Sequence, residues 1–100
     1  MQVPKSGPAM KSVVINNEYG LHLRPADLFA RTAIQFVSEI TVRHNDRSVN
    51  GKSILDLATL AAECGSVLDI EAIGPDADTA LAALARLVES DFQAEIPKAS

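Results

Sequence analysis

Apolar residues follow two rhythms along this chain, and the places where one gives way to the other mark the predicted elements. Val13 and Ile15 alternate with Ser12 and Asn16 in a β-branched stretch over residues 11–17, the pattern of a strand with one buried face. Tyr19-Gly20 interrupts it. From His22 onward Ala26, Phe29, Ala30, Ala33, Phe36 and Val37 recur at helical spacing and predict an amphipathic helix to about Val37. Residues 38–43 (SEITVR) alternate again, with Ile40 and Val42 on one face. Asn45-Asp46 is a turn signal, and Val49 in the next short strand continues the inward set, so the two strands form a hairpin.

Ser53 stands just before Ile54, Leu57, Ala58 and Ala61 at helical spacing, and serine is a favoured N-cap because its hydroxyl accepts from free first-turn amides. A helix of two to three turns is expected, closed by Gly65, with Cys64 near its end as a small half-buried residue. Leu68, Ile70 and Ala72 alternate as a fourth strand. Gly74-Pro75-Asp76 opens the last helix, with Asp76 as the expected N-cap, and that helix runs to about Asp91 on an apolar face of Ala77, Ala80, Leu81, Leu84, Leu87 and Val88. The order is β-α-β-β-α-β-α. Four strands with one apolar face each and three amphipathic helices are accommodated most simply by an α+β fold with the helices on one side of an open sheet.

Composition narrows the function. The chain has 100 residues, 47% of them hydrophobic, and a formal charge of −4; a chain of this length is one domain that buries roughly 65% of its unfolded surface. With a single cysteine there is no internal disulfide framework, which fits a reducing, cytoplasmic setting. The mostly apolar stretches 54–62 and 80–88 are interrupted by Asp56 and Arg86 and fall short of the ~20 residues a bilayer span needs. Residues 1–10 contain two prolines and no apolar run, so they read as a disordered tail rather than a secretory signal. Residues 1–68 hold seven basic and six acidic groups and residues 69–100 two and seven, a balance without the basic stripe of a nucleic-acid binder.

The chemistry concentrates in Gly20-Leu21-His22-Leu23-Arg24-Pro25-Ala26. Pro25 near the helix start costs nothing, because amides of the first turn have no intrahelical acceptor. The remaining free amides, of Leu23 and Arg24, together with the helix dipole make an anion site next to the His22 imidazole. Arg24 adds a planar charged fork suited to phosphate oxygens. These are the parts of a phosphohistidine site. No Walker loop or metal-ligand cluster occurs, and no cofactor or metal is expected. His44 is expected to be a hairpin residue, and Tyr19 to pack in the loop beside the site.

The segment GLHLRPA resembles the active-site signature of the histidine-containing phosphocarrier (HPr) family of the bacterial sugar phosphotransferase system, G-L-H-[AT]-R-P-A. A second family block, N-G-K-S-I followed by L-x-x-L, is matched by Asn50-Gly51-Lys52-Ser53-Ile54-Leu55 with Leu57 and Leu60. The resemblance covers residues 11–92 and divides the chain into an N-terminal tail (1–10), a phosphocarrier domain (11–92) and a C-terminal tail (93–100). It implies an open-faced β-sandwich of four antiparallel strands with three helices on one face, and a monomer. It further implies that His22 accepts a phosphoryl group on Nδ1, that Arg24 and the amides of Leu23 and Arg24 hold its oxygens, and that the protein is a stoichiometric carrier rather than an enzyme. Enzyme I, charged from phosphoenolpyruvate, would be the donor and sugar-specific IIA domains the acceptors. Leu23, Ile54 and Leu55 fall at docking positions of the family. Asp27 and Asp56 depart from its small, neutral or basic residues there, with Arg24, Arg31 and Lys52 as offsetting charges. The resemblance also makes Ser53 a candidate for phosphorylation by an ATP-dependent kinase, reversed by a phosphorylase. A regulatory module that acts by docking to kinases, transcription regulators or metabolic enzymes, or a nitrogen-related phosphotransfer paralogue, is the alternative use of the same fold.

Overall fold

A computed structural model describes residues 8–93. In it the chain runs as β1 (Ala9–Val14), α1 (Leu23–Ile34), β2 (Glu39–His44), β3 (Arg47–Asn50), α2 (Ile54–Thr59), β4 (Val67–Ile73) and α3 (Ala77–Glu89), the predicted order. The strands form one antiparallel sheet in the order β1-β4-β2-β3. Register puts Val13 opposite Leu68, Val42 opposite Ile70 and Ile40 opposite Ala72, so these buried side chains share one face. All three helices cover that face. α3 lies on β1 and β4, while α1 packs between α2 and α3. Phe29, Leu57, Leu84 and Val88 fill the space between helices and sheet with no exposed surface, and a side chain of this size gains about 1.5–3 kcal/mol from full burial. The opposite sheet face stays open and carries polar pairs such as Ser12 donating to Asp69. No helix among the described residues is long and apolar enough to cross a membrane.

Several boundaries differ from expectation. β1 begins at Ala9, since Ala9 and Met10 pair with Ala72 and Glu71, so the expected disordered tail does not include them; residues 1–7 of that tail and residues 94–100 of the C-terminal one lie outside the described residues. β1 ends at Val14, although Ile15 stays fully buried and tied to the Gly65-Ser66 loop by backbone bonds. α1 ends at Ile34 because Gln35 and Phe36 turn to tighter i−3 carbonyls, those of Thr32 and Ala33. Val37, expected to face inward, is therefore 73% exposed. α2 closes at Thr59, not at Gly65: Ala61 itself takes the left-handed conformation, φ 52°, after Leu60 caps the helix. Cys64 accordingly sits in the following loop and is exposed rather than half-buried.

Asp76 differs most from expectation. Its side chain makes no capping bond at the start of α3. Its carboxylate instead accepts from the Val37 amide at 2.9 Å, the Ser38 amide at 3.0 Å and the Ser38 hydroxyl, fastening the α1–β2 connection to the α3 entry. Gly74 permits this approach, with φ at +150° and a would-be Cβ only 2.5 Å from Ser38 Oγ. The Ser38 hydroxyl, partly opposed by desolvation and reinforced by the Val37 and Ser38 amides, holds the Asp76 carboxyl below its ordinary range. A carboxyl depressed in the folded state contributes stability above its unfolded pKa, near 3.9, and that contribution is lost as pH falls through the lower folded value. Asp76→Asn should therefore lower the melting temperature at pH 7, and the gap to the parent should narrow as the pH falls below the ordinary carboxylate pKa of about 3.9. A gap that stays constant in a thermal melt series from pH 7 to 2.5 would remove the charge from this explanation.

Candidate functional site

The loop between β1 and α1 is set before the histidine arrives. Gly20 has φ +71°, and a Cβ there would lie 2.3 Å from the Ala62 carbonyl oxygen, so only glycine fits. Leu21 is buried and its amide donates to that same carbonyl at 2.8 Å. The Asn17 side-chain amide donates to the Gly20 carbonyl at 2.6 Å, and so does the His22 amide at 3.0 Å. These bonds deliver His22 to the N-cap position of α1 in an extended conformation, φ −86° and ψ −169°, with its carbonyl accepting from Ala26.

His22 is exposed, and its imidazole makes no hydrogen bond among the described residues, not even to cap the helix. The amides of Leu23 and Arg24 precede the first intrahelical donor, and Pro25 has none, so both are available at the positive end of α1. No acidic side chain occupies that first turn. Arg24 is exposed, and its guanidinium has no ion pair among the described residues. An imidazole without hydrogen bonds, two free amides and a guanidinium without an ion pair, all among the described residues, thus share one helix end.

Two open depressions meet at His22 and Arg24. The first, about 550 Å³, is lined by those two residues with Leu23, Asp27 and Ile54. Leu23 in that lining is 60% exposed and gives the rim beside the histidine an apolar side chain, while Leu55 on α2 is 72% exposed. Of the two acidic departures from the family pattern, Asp27 lines this depression, whereas Asp56 lines a separate one with Arg47, Lys52 and Thr59. Asp27 pairs with Arg31 at 3.2 Å one turn along α1, whereas Asp56 is exposed with no ion pair among the described residues. Lys52, expected to offset them, donates its ammonium to the Phe36 carbonyl at 2.7 Å, which ties the α2 entry to the α1–β2 connection and leaves its charge in the depression that Asp56 lines.

Ser53 caps α2 as expected, its hydroxyl accepting from the Asp56 amide at 3.3 Å. His44 ends β2 opposite Arg47 in the hairpin, its Nδ1 3.4 Å from the Val67 carbonyl oxygen. The second depression, about 520 Å³, was not visible from sequence. It joins Asn17 and Tyr19 to Arg24 and to Asp91, Phe92 and Gln93 from the end of α3. Asp91 and Phe92 bend the chain there through two consecutive left-handed residues, φ 58° and 62°, with Phe92 buried as an anchor. Asp91 is of a type that tolerates this conformation, but Phe92 carries no local signal for it. Tyr19, expected as loop packing, is 76% exposed and sets its ring edge-to-face against His22.

The fold and this helix end define a class: an α+β open-faced sandwich that presents an exposed histidine at a helix start with free first-turn amides. The family model described as the phosphotransferase-system HPr component phosphorylation site matches residues 9–90. Phosphocarrier protein HPr of Neisseria meningitidis serogroup A is 45% identical over 82 residues, covering 82% of this chain and 92% of that protein. Among solved structures, the HPr-C-His protein of Thermoanaerobacter tengcongensis aligns with a TM-score of 0.82 at 40% identity, covering 87% of this chain and 98% of that one. A structure titled as an HPr dimer from the same organism aligns at 0.69 and 41% identity, covering 82% and 94%. The chain belongs to the HPr family, the phosphocarrier proteins of the phosphotransferase system.

Proposed function

We propose that this chain takes a phosphoryl group from an Enzyme I-type donor on His22 and passes it to IIA-type acceptors of sugar uptake, in the cytoplasm. The observation that carries this reading is an imidazole free of hydrogen bonds among the described residues, next to the Leu23 and Arg24 amides and an unpaired Arg24. In the forward step the lone pair of the His22 ring nitrogen, Nδ1 by family resemblance, forms the N–P bond. The bond from phosphorus to the donor breaks, and its electron pair stays on the donor atom. The phosphoryl oxygens meet the two amides and the Arg24 fork, which stabilise charge in a loose transition state without a metal. Delivery to the acceptor is the same exchange in reverse, so the group leaves as readily as it came. The protein is consumed and regenerated as a carrier and ends each cycle unchanged.

Leu23, Ile54 and Leu55 form the apolar part of the docking face, with Asp27 at its margin and Asp56 in the depression that Arg47 and Lys52 line. Asp27 is paired with Arg31, whereas Asp56 has no ion pair among the described residues, so Asp56 is the acid more open to a partner's charge. The relay is tested by charging Enzyme I with labelled phosphoenolpyruvate, adding this protein and then a IIA domain. Label moves through this chain to IIA if the reading is right, and stops on Enzyme I if it is wrong.

Ser53 is proposed as a regulatory phosphorylation site acted on by a serine kinase and phosphorylase. Its hydroxyl opens the helix that carries Ile54 and Leu55, so added charge would sit at the edge of the surface that must be desolvated against Enzyme I. At a helix start that charge is favourable to the fold. Ser53→Asp should therefore slow phosphorylation of His22 without lowering the melting temperature. Ser53→Ala should lose about 1 kcal/mol of stability and transfer normally. Equal melting temperatures for the two variants, or an unaltered rate for Ser53→Asp at low salt, would remove Ser53 from this role.

A further inference from the structure

Tyr19 has no packing reason to be aromatic. Its side chain is 76% exposed, so burial of the ring contributes little to folding, and the loop it sits in is already fixed by Gly20, Leu21 and Asn17. Its ring centroid nevertheless lies 6.2 Å from that of His22, with the planes at 84°, inside the range in which edge-to-face rings attract. The imidazole makes no hydrogen bond among the described residues, and its ring contact there is the one with Tyr19. An exposed histidine otherwise explores several χ1 wells and a broad χ2. Only orientations that aim its reacting nitrogen at the amides of Leu23 and Arg24 lead to transfer.

We infer that Tyr19 is a positioning residue whose ring holds the His22 imidazole ready to receive a phosphoryl group at the start of α1. The inference rests on His22 being the acceptor, and it assigns the effect to the ring rather than to the phenol hydroxyl. Tyr19 lines the depression with Arg24 and Asp91 but acts through His22, so its loss changes the rate of the chemistry and leaves the anion site standing.

Phosphoramidate tests this without any partner protein. The ring nitrogen's lone pair forms the N–P bond while the P–N bond of the donor breaks. The ammonium-form nitrogen of the donor leaves as ammonia with that electron pair, and the imidazole keeps its own N–H proton. Tyr19→Ala should lower the second-order rate constant for labelling His22 by roughly three- to tenfold, the effect expected for loss of one aromatic pair. Tyr19→Phe should react within twofold of the parent, and both variants should melt at the parental temperature. In the parent and in Tyr19→Phe, NMR should show cross-relaxation between the protons of the two rings. Parental reactivity in Tyr19→Ala, a Tyr19→Phe variant as slow as Tyr19→Ala, or absent cross-relaxation in the parent would each overturn the inference. If the parent's His22 fails to react at all, the acceptor assignment is what falls, and the cross-relaxation still decides whether Tyr19 orients the ring.

Discussion

Replacing His22 by alanine should abolish phosphoenolpyruvate-dependent labelling of the protein and leave its fold intact. The expected loss is complete because no second histidine has comparable surroundings. The chain has two histidines, and His44 sits at the end of β2 with its Nδ1 near the Val67 carbonyl, away from any helix start. The fold should tolerate the change because His22 is exposed and makes no capping bond that alanine would remove. Circular dichroism and a thermal melt check the second half of the statement, and labelling with Enzyme I checks the first. Persistent label in His22→Ala would move the site elsewhere.

Arg24→Ala should slow transfer at least ~10-fold, about 1.4 kcal/mol of barrier, with unfolding nearly unchanged. The guanidinium is exposed and has no ion pair among the described residues, so the folded chain gives up little when it is removed. The transition state gives up more, since charge spread over the phosphoryl oxygens loses a fork donor placed beside two amides. Arg24→Lys should fall between the two, retaining charge without the planar pair of donors. Rapid-quench kinetics distinguishes these outcomes, and equal rates in all three proteins would leave the helix amides as the whole of the anion site.

Much of this site was legible because its parts are contiguous. Gly20 to Ala26 carry the turn, the histidine, the free amides and the arginine in one heptapeptide, and the change of apolar period at His22 marks the helix start. The strand and helix order was legible for the same reason, as each element buries one face at its own period. What escaped was non-local. Asp76 stands where a cap belongs, but the Ser38 hydroxyl and two amides from the far end of α1 compete for its carboxylate and win it. Ala61 and Phe92 take left-handed conformations without the residue types that usually signal them. The end of α3 therefore reaches the His22 depression by a bend that composition does not announce. Lys52 was expected to offset Asp27 and Asp56, and only the packing of the α1–β2 connection against the α2 entry shows its ammonium bonded to the Phe36 carbonyl.

The central claim is that His22 carries the phosphoryl group, and intact mass spectrometry tests it most directly. After incubation with phosphoenolpyruvate and catalytic Enzyme I, the protein should gain the mass of one phosphoryl group, lose it on brief acid treatment, and fragment with the group on His22. No mass gain, an acid-stable gain, or a phosphoryl group on His44 would contradict the account.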